Sequence, residues 1–191
     1  MNYGSNTDTE GREITDGSSF ISPIVGTPEK PYVENCKLEK VELSEDETRA
    51  SFTFKQSNGS TVNHSEFSGT EDWQIENTNK RVKHICSKIV TGEEYQTAVG
   101  GASNFVDFIN KIITLINGKY TDLTFRIKFI YNKNGYVSIP QFPNFIENMT
   151  VLENETTIRY NPKYDIFIRP IADATENGIE NVAVKEDSKV F

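Results

Sequence analysis

The chain has 191 residues, of which 36% are hydrophobic and 25% charged, and its formal net charge is −8. This length suits one domain with a hydrophobic core, and no apolar run approaches the roughly 20 residues that a membrane span needs. The two cysteines, Cys36 and Cys86, lie far apart and lack histidines at zinc-ligand spacing. They argue against a zinc site and a disulfide framework, and they predict a cytoplasmic protein.

The charge is unevenly distributed along the chain. Residues 1–34 carry −4 and residues 170–191 carry −3, whereas residues 35–169 hold 17 acids and 16 bases. Within that middle part, residues 75–133 hold nine bases against five acids. Because charges act mainly within about 8–10 Å in physiological salt, an acidic protein can still present a cationic surface. Composition predicts a disordered acidic arm over residues 1–31 and an acidic flexible tail over residues 170–191, flanking one folded domain at residues 32–169.

The first part of the folded domain is predicted to contain three β-strands. Apolar residues alternate over residues 35–44 but change phase near Lys40, so a β-bulge is expected there. A second strand is predicted over residues 48–56 and a third over residues 61–68. The Ser-Asn-Gly-Ser sequence at residues 57–60 between them is a strong hairpin signal.

Helical spacing of apolar residues follows the third strand. Val82, Ile85, Cys86 and Ile89 predict a helix that ends at Gly92. After a polar break, a second helix is predicted between Ser103 and Gly118, with an apolar stripe broad enough for burial on most sides.

Residues 122–147 form the stretch around which the domain is predicted to be organised. Apolar residues at positions 123, 125, 127 and 129 alternate with Thr124, Arg126, Lys128 and Ile130, two of which are cations. This period of two predicts a strand with one apolar face and one open cationic face. A turn at residues 132–135 leads into a partner strand, and residues 143–146 are expected to cover the barrel, whereas residues 150–169 receive no assignment.

The predicted element order is three strands, two helices and two strands. This order fits an OB-fold, a five-stranded Greek-key barrel, and a bulged first strand supplies the bend that a small barrel needs. We therefore predict a mainly β protein with an OB-fold-like five-stranded barrel, a helical insert of two helices between strands 3 and 4, and disordered acidic ends.

No phosphate-binding glycine loop or nucleophile motif occurs, so the sequence predicts neither an enzyme nor a cofactor or metal. The two histidines, His64 and His84, lack suitably placed partners and are predicted to be polar surface residues.

Aromatic residues interleaved with cations predict instead a surface for single-stranded DNA. Bases stack on aromatic rings, at about 1–3 kcal/mol per base, while cations follow the phosphates. The expected DNA-binding residues are Lys55, Trp73, Lys80, Arg81, Lys83, Lys88, Arg126, Lys128, Tyr131, Lys133, Tyr136 and Phe142. For each of them the alternative is structural: an aromatic ring in the core, or a charge on a solvated face. The interpretation depends above all on Arg126 and Lys128 sharing an open surface; if they are buried against acids, a packaging or scaffold role takes its place.

Residues 80–90 (KRVKHICSKIV) and 126–147 (RIKFIYNKNGYVSIPQFPNFIE) resemble phage-encoded single-stranded DNA-binding proteins of OB fold. The acidic tail that contains Asp187 and Phe191 is similar to the acidic, aromatic-terminated tails of those proteins. The resemblance implies coating of exposed strands during DNA replication or recombination in the cytoplasm of a bacteriophage host. It also implies docking of replication proteins on the tail. Two alternatives stay open at this point: the arm could join copies of the chain into a homo-oligomer, and the bound strand could be RNA in place of DNA.

The alternative is a phage virion structural or assembly protein that binds no nucleic acid. Small β-rich domains with acidic, unpatterned arms suit that role, and an arm such as residues 20–25 could insert into a neighbouring subunit.

Overall fold

A computed structural model describes residues 21–170 of the chain, and the predicted tail lies outside them. The elements are β1 (Val33–Leu43), β2 (Arg49–Lys55), β3 (Thr61–Phe67), α1 (Asp72–Cys86), α2 (Gly92–Val99), α3 (Phe105–Ile116), β4 (Phe125–Ile127), β5 (Ile130–Tyr131), β6 (Val137–Ser138) and β7 (Ile146–Asn148). One short 3-10 helix, Glu153–Glu155, follows β7. Of the predicted arm, Ile24 pairs with the side chain of Gln56 through two hydrogen bonds of 2.8 and 2.7 Å.

Five strands form one antiparallel sheet in the order β3-β2-β1-β4-β7. The first three strands follow one another along the chain, and β4 returns after the three helices to pair with β1. This spatial order of 4-1-2-3 is a Greek key. The predicted mainly β class is therefore confirmed at the level of an antiparallel sheet with helices inserted between its third and fourth strands. Within residues 21–170 the sheet is not closed, because β3 and β7 stand at its two ends.

The first strand, β1, pairs with both β2 and β4 and contains two β-bulges. The register with β2 shifts between Leu38 and Lys40, where a bulge was predicted, so that prediction is confirmed. A second shift lies between Val33 and Cys36 in the pairing with β4, and there Asn35 has a positive φ of 56°. The two bulges bend the strand, so that its beginning pairs with β4 and its remainder with β2.

The hydrophobic core lies between one face of the sheet and α1 and α3. Every second residue of β2 and β4 points into it, as the period of two predicts, and α3 contributes its apolar stripe. The fully buried large side chains are Phe52, Phe54, Phe125, Phe129, Phe145, Ile85, Ile109, Ile112, Ile116, Ile127, Ile146 and Ile158.

The described part of the chain, residues 21–170, contains three α-helices, whereas the sequence predicts two there. Gly92, the predicted end of the first helix, instead begins α2, and the polar break after it is helical. Thr91 and Glu94 form a capping box, in which the Thr91 hydroxyl accepts from the Glu94 N–H and the Glu94 carboxylate accepts from the Thr91 N–H. This Thr-x-x-Glu pattern is visible in the sequence and predicts a helix start. Within residues 21–170, no helix combines the length and the apolar character that crossing a bilayer would require.

The long strand predicted before the turn is divided in the structure. The first part, β4, joins the five-stranded sheet, whereas β5 leaves it to pair with β6 as a separate hairpin. The predicted turn is confirmed, since Gly135 has a φ of 77° that an L side chain rarely adopts. Residues 143–146, which are predicted to cover the barrel, instead lead into the edge strand β7. In this strand Ile146 pairs with Ile127 of β4.

Candidate nucleic-acid interface

The two cations expected on an open face, Arg126 and Lys128, are buried. Arg126 exposes 3% of its surface and Lys128 exposes 6%. Chain that follows β7 covers them: Val151 lies over Arg126, and Arg159 and Asp165 lie over Lys128. The prediction of an open cationic sheet face is therefore wrong, and neither residue is placed where it could contact a DNA strand. The acidic partners lie far away in the sequence, which is why a local pattern of alternation did not indicate them.

Arg126 is held by two carboxylates and one aromatic ring. Its guanidinium lies 3.4 Å from Glu34, 3.7 Å from Glu147 and 4.8 Å from the centre of the Tyr32 ring. Burial alone would raise the pKa of Glu147. Hydrogen bonds from Thr156 and Thr157, with the Arg126 charge, outweigh burial and lower that pKa below its ordinary value. Arg126 is thus part of a structural cluster.

Lys128 makes an equally direct structural contact. Its ammonium donates to Asp165 at 2.7 Å and to the carbonyl of Arg159 at 2.6 Å. Asp165 in turn accepts from the N–H of Asn161. The pair therefore fastens the segment around residues 159–165 to the outer face of the sheet.

Arg81 is also largely committed to the fold. Its Nε and Nη2 donate to the two oxygens of Glu66 at 2.6 and 2.5 Å, and Glu66 is fully buried. His64 and Thr78 contact the same carboxylate at 2.7 and 3.0 Å. Burial would raise the pKa of Glu66, but the hydrogen bonds with Arg81 and His64 outweigh it and lower that pKa. The cluster joins β3 to α1.

The remaining predicted cations are spread over two regions. Lys55 lies 3.3 Å from Glu39, and Lys80 lies 2.7 Å from Glu76, both as exposed ion pairs. Lys83 is exposed, and with Lys80 it borders an apolar cleft of about 710 Å³ between α1 and the α2–α3 pair. Lys88 is half-buried at the end of the same helical region. The structure does not bring these residues together with the hairpin at residues 130–138.

Three of the four predicted aromatic residues are exposed at the surface. The exposed fractions are 59% for Trp73, 68% for Tyr136 and 49% for Phe142, whereas Tyr131 is half-buried. Phe142 packs against Tyr164, with their ring centres 5.3 Å apart. Of these residues, Phe142 forms a contiguous exposed aromatic patch with Tyr164, and such a patch is a candidate binding surface.

Contacts join the hairpin at residues 130–138, the loop at 141–144 and the segment at 159–169 into one surface. Tyr131 donates its N–H to the carbonyl of Ile166 at 2.8 Å. Gly135, in the hairpin turn, lies so close to Arg169 that an added Cβ would approach its Nε to 3.3 Å. The Phe142–Tyr164 ring pair connects the loop to the last segment. We call these three segments the aromatic–cation surface.

Every exposed charged residue of the aromatic–cation surface is a cation. These residues are Lys133, Arg159, Lys163 and Arg169. The single acid of the three segments, Asp165, is buried and paired with Lys128. No acid within these segments therefore neutralises their four exposed cations. The Lys163 ammonium lies 5.1 Å from the centre of the Tyr164 ring, within cation–π distance.

The sequence interpretation missed four residues of this surface. Arg159, Lys163, Tyr164 and Arg169 lie in the part of the chain that received no assignment. The available signal was compositional, since residues 157–170 hold three bases and three aromatic rings but only one acid.

Neither histidine is a polar surface residue, so that prediction is wrong. His64 contacts the buried Glu66 carboxylate, as described above. The His84 Nε2 accepts from the N–H of Phe145 at 3.3 Å, and the two rings lie 4.8 Å apart. Burial, helped by the nearby Lys88 charge, lowers the pKa of His84 to about 4. His84 is therefore neutral at pH 7 and joins α1 to the start of β7.

Among residues 21–170, no three His, Cys, Asp or Glu side chains lie together in a way that could hold a metal ion. Burial raises the pKa of both cysteine thiols, Cys36 and Cys86, to about 12, so neither is a ready nucleophile. The predicted partner-docking residues, Asp187 and Phe191, lie outside the described residues. The chain matches no protein-family model, no curated protein and no solved structure.

Proposed function

We propose that this protein binds single-stranded DNA with little sequence preference, through the aromatic–cation surface. The observation that carries the proposal is the half-exposed ring pair of Phe142 and Tyr164, with the Lys163 ammonium 5.1 Å from one ring. The condition on which the sequence-based interpretation depends is not met, because Arg126 and Lys128 are buried against acids and take no part in binding. A different set of residues supports the proposal, and a packaging or scaffold role is its alternative. Arg126 and Lys128 have a different task, which is to hold the segment that carries Lys163 and Tyr164.

The surface offers both interactions that an unpaired strand requires. Exposed rings at Tyr136, Phe142 and Tyr164 provide π faces for bases, and such stacking is tolerant of sequence because every base has a π face. Lys133 belongs to the same turn as Gly135, and Arg169 lies against Gly135, so both exposed cations are near the turn, where they can follow phosphates. Duplex DNA keeps its bases stacked inside and offers only its phosphates to this surface.

The fold is consistent with the proposal, although the proposal depends on the aromatic–cation surface. The Greek-key order of the sheet and the doubly bulged β1 agree with an OB-type barrel, the finer architecture that we propose for the domain. OB-type domains bind oligonucleotides on their strands and loops. A role in DNA replication or recombination, with partner proteins docked on the acidic residues that follow position 170, completes the proposal.

The test is binding of a fluorescent oligothymidine of about 15 nucleotides, followed by anisotropy between about 50 and 200 mM salt. We expect binding of the single strand that weakens with salt, and weaker binding of a duplex of the same length. An absence of binding at the lowest salt would contradict the proposal. Self-association on size exclusion in the same samples would then support the virion assembly role.

A further inference from the structure

A second aromatic site lies beside the aromatic–cation surface, where β3 ends and α1 begins. There a cavity of about 190 Å³ is lined by Phe67, Trp73, Asn77, Arg81 and Gln141, among other residues. Gln141 directly precedes Phe142, so the cavity adjoins the loop of the proposed DNA-binding surface. Its volume is below the 300–1,000 Å³ of sites for drug-sized ligands, and it suits one flat ring system.

The two aromatic walls of this cavity are unusually open to solvent. Phe67 is 60% exposed and Trp73 is 59% exposed, although both are large apolar side chains close to the core. Neither is among the residues of the hydrophobic core. Exposed rings on the walls of a cavity cost hydration free energy unless a ligand covers them, and a planar ligand can stack on either ring.

The polar lining of the cavity includes amides that can donate and accept, and one arginine. The Glu66 carboxylate in this lining is already occupied by Arg81, His64 and Thr78. Arg81 still has Nη1, whose contact with the Gln141 carbonyl is long, at 3.5 Å. An arginine side chain can only donate, so the ligand atom that it would meet is an acceptor, such as a carbonyl oxygen or a ring nitrogen of a base.

We propose that this cavity binds one unpaired base of the DNA strand, stacked on Trp73, with an acceptor atom of the base facing Arg81. This inference rests on the proposed function and adds to it a defined base position at one end of the interface. The site accepts any base, which agrees with a strand bound elsewhere through stacking and charge.

Trp73 is the single tryptophan of the chain, so its fluorescence reports on the cavity alone. We expect thymidine monophosphate and adenosine monophosphate (deoxy form) both to quench this fluorescence saturably, because both bases have a π face and acceptor atoms, and inorganic phosphate to leave it unchanged. Phe67→Ala, at an exposed position, should weaken the quenching by thymidine monophosphate. No saturable quenching by either nucleotide, or the same change with inorganic phosphate, would overturn the site.

Oligothymidine binding separates this inference from the proposed function. Trp73→Ala should weaken binding of the labelled oligothymidine by about 5- to 100-fold, as expected for one lost stacking contact. Ile75→Ala is the matched control, because Ile75 is 45% exposed on the same helix but lines the neighbouring cleft. It should change affinity less than twofold. Unchanged binding by Trp73→Ala would overturn the base site and leave the proposed function standing, whereas a wild-type protein that binds no oligothymidine contradicts the proposed function itself.

Discussion

The Lys128 ammonium lies 2.7 Å from the Asp165 carboxylate, and both residues are buried on the outer face of the sheet. Lys128 directly follows β4, whereas Asp165 belongs to a segment without strands. The contact therefore fixes that segment against the sheet and places Lys163 and Tyr164 at the surface beside Phe142. A cation that would be expected to bind DNA thus serves to position the residues that we propose to bind it.

Replacing Lys128 by methionine should destabilise the fold by about 3–5 kcal/mol, because the Asp165 carboxylate would stay buried without its partner. Urea unfolding measures this change in the free energy of unfolding. The double variant Lys128→Met with Asp165→Leu should recover much of the loss, since no uncompensated charge remains. Lys133→Met, at an exposed position, is the control and should stay within about 0.5 kcal/mol of the wild type. A stable Lys128→Met protein that loses only DNA affinity would show that Lys128 reaches the strand.

Removing two cations from the aromatic–cation surface should weaken DNA binding without unfolding the protein. We expect Lys133→Ala with Lys163→Ala to lower affinity on the order of tenfold and to reduce the salt slope by about 1.4, the value for two phosphate contacts on a single strand. Anisotropy titrations at several salt concentrations give both quantities.

The control for that experiment removes the same charge elsewhere. Lys40 and Lys119 are exposed and paired with Glu42 and Glu94, respectively. Lys40→Ala with Lys119→Ala should leave the salt slope unchanged. If both double variants lost affinity equally, net charge rather than the aromatic–cation surface would govern binding.

Stability should fall as the pH is lowered from about 7 to 5, because of His84. The folded pKa of His84 is about 4, below the ordinary 6.5, so the unfolded chain takes up a proton in this range and the folded chain does not. The contribution to stability is present above pH 6.5 and is lost as the pH falls toward 4. We expect a loss of about 1–2 kcal/mol between pH 7 and pH 5, allowing for the partial exposure of the ring.

The comparison variant for the pH experiment is His84→Asn, whose amide oxygen can still accept from the Phe145 N–H. Urea midpoints of this variant should vary less between pH 7 and pH 5 than those of the wild type. Carboxyl groups whose pKa is lowered, such as Glu66 and Glu147, are present in both proteins, so their contribution cancels in the comparison. Identical pH profiles for the two proteins would contradict the role of His84.

Two glycines should respond in opposite ways to alanine. Gly135 has a φ of 77° and lies against Arg169, so Gly135→Ala should destabilise the protein by about 1 kcal/mol and disturb the surface next to it. Gly92 is the first residue of α2 and has nothing within 4 Å of an added Cβ. Gly92→Ala should be neutral or stabilise by about 0.5 kcal/mol. Thermal unfolding of both variants measures the difference, and a destabilised Gly92→Ala would contradict the open environment.

The sequence predicts well those features of the fold that depend on local patterns. The alternation in β2, the bulge near Lys40 and the turn at Gly135 each follow from residues close together in the chain. The exposure of Arg126 and Lys128 depends instead on Glu34, Glu147 and Asp165, which lie up to 92 residues away for the Arg126–Glu34 contact. A period of two identifies which residues share a face of a strand, but it cannot indicate whether other chain lies over that face.

In the proposed interface, too, some features follow from local sequence patterns and others depend on long-range contacts. Tyr136 and Phe142 are exposed as their positions near a strand end and in a loop predict, whereas Trp73 is exposed in the first turn of α1. Tyr164 and Lys163 reach Phe142 only because two buried ion-pair clusters fasten residues 149–168 to the sheet, a long-range effect without a local signature. The capping box of α2, in contrast, was present in the sequence as Thr91 and Glu94.

The pairing of β1 with two strands affects the order in which the sheet folds. The later residues of β1 pair with β2 through a short hairpin. Its first residues pair with β4 later, because Cys36 contacts Phe125 only after a long loop has closed. The half of the sheet that arrives last is also the half on which Lys128 anchors the ring pair. A nascent chain that has completed its three-stranded meander would therefore still lack the surface that we propose to bind DNA, because that surface forms only when the last segment docks on the sheet.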